Sequence, residues 1–288
     1  MLRIDDETRS RVLVTPQALF EMMEGSAAPH ILVVQSSNPY TGADSRNGVY
    51  IPGAVESEAY RDFQGPASPE AGNRPLPAIA DLTAAARGWG LTRERPVVIY
   101  DADRAMTAAR AWWVLRWAGL PDVRVLDGGL PAWIAAGLPT AGEPLKPEKS
   151  DISLTEGHMP QFGADQAAAL ADQGVLLDAR IRPNYIGGPE VGGEPARGHI
   201  PGALSAPTID TLTDPGPFAD SATLRELFSG LGVDGEKPVG VYCGAGMSAA
   251  HEVLALAAIG VEAAMYPGSW SQYVSRGDRP VRRGPFPR

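Results

Sequence analysis

Residues 239–260 read VGVYCGAGMSAAHEVLALAAIG. The opening VGVY is a short apolar run of the kind that forms a fully buried strand of a parallel sheet. Cys243, Gly244, Ala245, Gly246, Met247 and Ser248 follow as a loop of small residues, and from about Ala249 the chain becomes a helix that stops at Gly260. A strand that passes through a tight loop into a helix sets the loop at the carboxyl edge of an α/β sheet, where open α/β folds hold ligands.

The same pattern occurs earlier. Residues 97–139 begin VVIYDADRAMTAARAWWVLRWAG, again strand, small-residue loop and helix, with Asp101 in register with Cys243. A second pair of markers, Ile51-Pro52-Gly53-Ala54 and Ile200-Pro201-Gly202-Ala203, keeps the same order, each after an apolar strand (31–34 and 175–177). The offsets are 142 and 149 residues, so the duplicated unit is a domain, far longer than a solenoid repeat. The polar, aperiodic AGEPLKPEKS at 141–150 reads as a linker between domains at 11–140 and 151–284. Strands alternating with helices predict an α/β fold, each copy a parallel sheet flanked by helices on both faces.

Composition sets the limits. The chain has 288 residues, 44% hydrophobic and 20% charged, which is material for a folded core. Its net charge of −9 argues against a nucleic-acid partner. The N-terminal MLRIDDETRSRV has no apolar segment, and no run is long enough for a membrane helix, so a soluble, cytoplasmic protein with no membrane contact is expected. A single cysteine excludes an internal disulfide, CxxC chemistry and a cysteine-based zinc site.

That cysteine sits where chemistry is expected. Two glycines let the loop curl so that backbone N–H groups make an anion nest, and the following helix adds its N-terminal N–H groups and dipole. A thiol there should have a lowered pKa and act as a nucleophile, with backbone donors stabilising charge. No acid, base or metal ligand lies between 243 and 250. The carboxylate of Asp101 cannot do thiolate chemistry, so the first copy reads as catalytically silent.

Together with Asp178-Ala179-Arg180, Gly198-His199-Ile200-Pro201-Gly202-Ala203, Ala111-Trp112-Trp113 and Leu126-Asp127-Gly128-Gly129, these features resemble the tandem-domain rhodanese family of sulfurtransferases, from about Val12 to Val281. The resemblance implies two rhodanese-like domains and transfer of sulfur from a small anionic donor, thiosulfate or 3-mercaptopyruvate, through a Cys243 persulfide. The acceptor would be cyanide, a thiol or a thioredoxin-like protein thiol, and neither metal nor organic cofactor is implied. Thiosulfate members resemble C-R-K-G-V-T in the loop and mercaptopyruvate members C-G-S-G-V-T. Gly244 and Ala245 bring no cation, which is closer to the second, although Ala245 lacks the serine hydroxyl and Ser248 replaces threonine. The family's donor-binding arginines have Arg182 and Arg197 as available counterparts, off the family positions, with Asn184-Tyr185 where Arg-Phe is expected. Arg180 matches a structural position. An acid and a histidine that some members bring from the first domain would fall at Glu58 and Arg74.

The remaining residues read more plainly. His199 is expected to be structural, His251 to sit on a helix face, and His30 and His158 to be partnerless surface residues. Trp112, Trp113 and Trp117 read as core or domain-interface packing, and Trp270 as packing or a pocket wall. A cysteine phosphatase would need C-x5-R, and position 249 is Ala. A non-catalytic or sulfur-sensing scaffold is the alternative, favoured by the departures at Ala245, Asn184 and Arg74 and opposed by the retained Cys243.

Overall fold

The computed structural model describes residues 6–37, 45–187, 197–214 and 216–288. Strands β1 (Leu13–Val14), β2 (His30–Gln35), β3 (Ala54–Glu58), β4 (Val97–Tyr100) and β5 (Val123–Leu126) form one parallel sheet in the order β1-β5-β4-β2-β3. Strands β6 (Val175–Asp178), β7 (Leu204–Ser205), β8 (Val239–Tyr242) and β9 (Ala263–Met265) form a second parallel sheet, ordered β7-β6-β8-β9. Gln161 bridges Met265 in parallel, the place that β1 takes beside β5, so both sheets are wound in one order. The all-apolar strands 97–100 and 239–242 are buried along their whole length because each has a strand on both sides and helices on both faces.

The helices are α1 (Asp6–Ser10), α2 (Pro16–Glu24), α3 (Ala59–Asp62), α4 (Ile79–Gly88), α5 (Met106–Trp117) and α6 (Gly129–Ala135) around the first sheet, and α7 (Ala164–Gln173), α8 (Arg182–Ile186), α9 (Ser221–Gly230), α10 (Met247–Ala258) and α11 (Ser269–Tyr273) around the second. None is long and apolar enough among the described residues to cross a membrane. One face of each sheet has its own apolar cluster, around Leu19 and Trp133 in the first and Phe162 and Tyr266 in the second. The other faces share a single cluster, running from Ile99 through Trp113 and Val114 to Val253, Leu254 and Val241. Helices α5 and α10 pack against each other across this shared core. A helix buried on nearly all sides has no face to give to water, and both are of that kind. Trp112, Trp113 and Trp117 are buried here, as their helical spacing suggests.

The structure corrects expectations for three histidines. His251 is fully buried at the seam, its Nε2 at 3.1 Å from the Arg104 carbonyl of the first domain and its Nδ1 at 2.7 Å from Thr208 Oγ1. Burial pushes its pKa down to about 4. His30 is half-buried and partnered, its Nε2 accepting from the Thr92 N–H at 3.2 Å. His158 is exposed, but Thr155 Oγ1 lies 2.9 Å from its Nε2. His199 is buried, with Nδ1 at 2.9 Å from the Tyr185 carbonyl and its ring stacked on Tyr185, a structural setting.

A further tie holds the seam. Arg9 of α1 donates to the Ala219 carbonyl and to Asp127, and Asp127 in turn accepts from the Phe218 N–H at 2.8 Å. The segment 141–150 lies along the first domain, where Ala141 pairs with Tyr50 and the Leu145 N–H donates to the Ala54 carbonyl.

Candidate active site

Cys243 is the first residue beyond β8 and is 2% exposed. The sulfur accepts the Gly246 N–H at 3.0 Å. This bond needs the loop to reverse within three residues, and Gly246 does so at φ +83°, just before α10. A Cβ there would lie 2.9 Å from both the Pro267 carbonyl oxygen and Arg110 Nη1, so the position excludes a side chain on two counts. The carbonyls of Cys243 and Gly244 accept the N–H groups of Trp270 and Ser271, each at 2.9 Å. In a trans peptide the N–H points opposite to the preceding carbonyl, so the amides of Gly244 and Ala245 aim away from α11. Ser269 locks the other side. Its Oγ accepts the Cys243 N–H at 3.2 Å, donates to the Tyr266 carbonyl, and lies 3.9 Å from the sulfur. It does this from φ +51°, a left-handed conformation that costs a non-glycine residue and is typical of functional turns.

The first domain shows what such a loop can hold. Asp101, 1% exposed, accepts the N–H groups of Asp103, Ala105, Thr107 and Ala108 and the Thr107 hydroxyl, all at 2.9–3.0 Å. Its carboxylate therefore fills its own loop as a built-in anion. The single sulfur of Cys243 takes one backbone N–H in the shorter loop that corresponds to it.

Above the Cys243 loop lies a cleft of about 620 Å³ lined by Asn73, Arg74, Arg180, Asn184, Arg197, Gly244, Ala245, Trp270, Ser271, Val274 and Ser275. Asn73 and Arg74 come from the first domain, fastened by the Asn73 N–H to Ser271 Oγ at 3.0 Å and by Gln272 Nε2 to the Glu70 carbonyl. Arg74 also lines a second, adjoining hollow of about 520 Å³ with Tyr60, Met106, Met247 and Ser248.

The sequence-selected residues separate here. Gly244, Ala245 and Arg197 line the main cleft; Met247 and Ser248 line the adjoining hollow, where Ser248 Oγ approaches Met106 Sδ at 3.9 Å. Gly246 is the turn beneath the sulfur. Arg182 stands exposed at the start of α8 and is not among the lining residues of either. Arg180 lines the cleft but is occupied, with Nε donating to Asp178 Oδ1 at 2.9 Å and its guanidinium 4.3 Å over the Trp270 ring. Burial alone would lower its pKa; the hydrogen bonds and charge of Asp178 outweigh that and the net shift is upward. Trp270 is thus a wall of the cleft as well as packing. Glu58 caps α3, accepting the Arg61 N–H at 2.7 Å, and is not among the residues lining the main cleft.

Two residues escaped the sequence reading. Ser269 occupies the position of Gly129 in the first copy, and that exchange at a tight turn was its signal. Arg110 is fully buried in α5 beneath the Cys243 loop. An arginine amid the apolar residues of a buried helix was the available sign.

Comparison with known proteins agrees with this geometry. The sequence profile of the rhodanese-like domain matches residues 15–136 and 163–276. A Mycobacterium tuberculosis protein, SseB, provisionally described as a thiosulfate sulfurtransferase, is 39% identical over 96% of this chain and 99% of its own. A Pseudomonas aeruginosa protein provisionally described as a 3-mercaptopyruvate sulfurtransferase is 38% identical over the same shares. The crystal structure of the 3-mercaptopyruvate sulfurtransferase SseA from Escherichia coli superposes with a TM-score of 0.75 at 27% identity, covering 90% of this chain and 98% of that one.

Proposed function

The chain belongs to the rhodanese-like family and is a sulfurtransferase, and from that premise we propose that it carries sulfur as a persulfide on Cys243. The Cys243 thiolate attacks the outer sulfur of a small anionic donor. With thiosulfate, the S–S bond breaks and its electron pair leaves on sulfite. With 3-mercaptopyruvate, the C–S bond breaks, the pair leaves as the pyruvate enolate, and the proton of the donor thiol ends on the pyruvate methyl carbon. The cysteine then bears a terminal sulfur carrying one negative charge. An acceptor thiolate or cyanide attacks that sulfur and returns the thiolate.

The observation that carries this reading is the pairing of the two loops. The first holds a two-oxygen anion with five donors; the second holds one sulfur with one backbone donor. A terminal sulfur on Cys243 would extend toward Gly244 and Ala245, whose N–H groups aim away from α11, and toward the first turn of α10. Each making and breaking of a bond to sulfur is a displacement stabilised by backbone donors, and the 3-mercaptopyruvate route adds one proton transfer from the donor's own thiol to its methyl carbon. His199 and His251 are committed to packing and hydrogen bonds elsewhere.

Donor choice follows from the cleft. The loop brings no cation, and the guanidinium groups along the cleft belong to Arg74, Arg180 and Arg197. Arg74 and Arg197, which line the cleft with Gly244 and Ala245 of the Cys243 loop, are assigned to the anionic end of the donor because of that position. Thiosulfate is a dianion and 3-mercaptopyruvate with its thiol protonated a monoanion, so a loop that brings no cation favours 3-mercaptopyruvate modestly. Steady-state kinetics with both donors test this. A kcat/KM ratio of about tenfold, or ~1.4 kcal/mol in transition-state binding, settles the preference, and Cys243→Ser abolishes both activities. Transfer that survives Cys243→Ser refutes the reading.

A further inference from the structure

Arg110 belongs to the domain without a nucleophile, yet its guanidinium ends at the other domain's cysteine loop. It is 1% exposed. Its partners among the described residues are backbone carbonyls: Nε to Phe63 at 3.2 Å, Nη2 to Arg74 and Pro75 at 3.2 Å each, and Nη1 to Gly246 at 3.5 Å. No carboxylate among the described residues pairs with it. A buried guanidinium satisfied by carbonyl dipoles still carries a full charge, and a charge held away from water needs a counter-charge. The group beside it that becomes negative in the proposed reaction is the sulfur of Cys243. The chain of contacts is short: Arg110 Nη1 reaches the Gly246 carbonyl, and the Gly246 N–H reaches the sulfur at 3.0 Å. The absence of any side chain at Gly246 is what lets the guanidinium approach. Burial pushes the Arg110 pKa down to about 10, and negative charge on Cys243 opposes that shift. Even so the group remains a cation at neutral pH.

We propose that Arg110 is a positioning residue for the Cys243 sulfur: the silent domain supplies the cation beneath the catalytic loop, and its carbonyl bonds tie that loop to the first-domain segment that carries Arg74 into the cleft. The nucleophile and its counter-charge thus come from different copies of the duplicated unit, which gives the domain lacking a cysteine a chemical part in the site. The inference rests on reading Cys243 as the nucleophile.

The test uses the full-length protein and two readouts. The first is the rate of Cys243 alkylation by iodoacetamide, which reports the reactivity of the sulfur whether or not any donor works. The second is the single-turnover rate of sulfur gain on Cys243 from each donor. Arg110→Met removes the charge and Arg110→Lys keeps it; Arg110→Gln keeps a donor without charge and, if Arg110→Met does not fold, stands in for it against the lysine variant. Asp127→Ala cuts a separate interdomain tie, away from the residues lining the Cys243 cleft, and controls for loosened domain docking. The neutral variants are expected to slow both rates about tenfold or more per folded molecule, with Lys in between and Asp127→Ala within about twofold of the parent protein. Neutral variants that are less stable yet alkylate at the parent rate would overturn the proposal, as would an equal slowing by Asp127→Ala. Slowed alkylation in a protein whose unmodified form takes sulfur from no donor would uphold Arg110 and refute the persulfide reading instead.

Discussion

His251 makes the fold sensitive to acid in a calculable way. A carbonyl can only accept, so the contact with Arg104 fixes the proton on Nε2, and Nδ1 accepts from the Thr208 hydroxyl. A second proton must go on Nδ1 in a fully buried site against Thr208 and the Phe218 ring, whose centroid is 4.6 Å away. Desolvation is the main cause of the drop from 6.5 to about 4, with the Arg104 hydrogen bond opposing it. The unfolded chain takes up the proton near pH 6.5 and the folded chain only near pH 4. Between these values the unfolded state binds more protons, so stability falls as the pH is lowered, at most by about 1.4 kcal/mol per pH unit. Over the whole window the loss is about 3 kcal/mol. Urea unfolding of the parent protein and of His251→Gln between pH 7 and pH 4 measures it. The stability difference between the two should shrink by about that amount toward pH 4. A difference that stays constant with pH would refute the reasoning.

Other outcomes follow from the same contacts. Asp101→Ala strands buried donors and leaves Arg104 and Ala105 at positive φ without the carboxylate that holds them, so unfolding experiments should show a loss of about 3–5 kcal/mol; a loss below ~1 kcal/mol would contradict the filled-nest picture. Gly246→Ala forces a side chain into the Arg110 guanidinium and the Pro267 carbonyl at a left-handed residue, and should lower kcat/KM about tenfold or more. Glu252, fully buried in α10, has its pKa raised well above 4.5 by burial, so its stability contribution is present below that value and lost as the pH rises. Glu252→Gln should therefore stabilise the protein at pH 7 and gain less toward pH 5, as thermal melts at the two values will show.

Much of this was legible from the residues. The apolar runs at 97–100 and 239–242, each followed by a small-residue loop and an apolar helix, carry the α/β fold locally, and the repeated Ile-Pro-Gly-Ala marks the doubling. Alignment of the copies put Asp101 opposite Cys243, and the structure gives that exchange its physical content. What was not legible depends on how the copies face each other. His251 and Arg110 lie on helices whose burial comes from α5 packing on α10. Periodicity within one helix says which side is apolar, not what covers the rest. Arg182 and Arg197 were equivalent as residues near the cleft in sequence; only Arg197 lines it. Their difference is set by where α8 starts, which no local rule fixed.

The central claim is that sulfur travels on Cys243. Intact mass of the protein after incubation with thiosulfate or 3-mercaptopyruvate, followed by peptide mapping, tests it directly. The account predicts a gain of one sulfur atom on the peptide containing Cys243, reversed by cyanide and absent in Cys243→Ser. An unmodified Cys243 with both donors, while sulfur still reaches the acceptor, would contradict it.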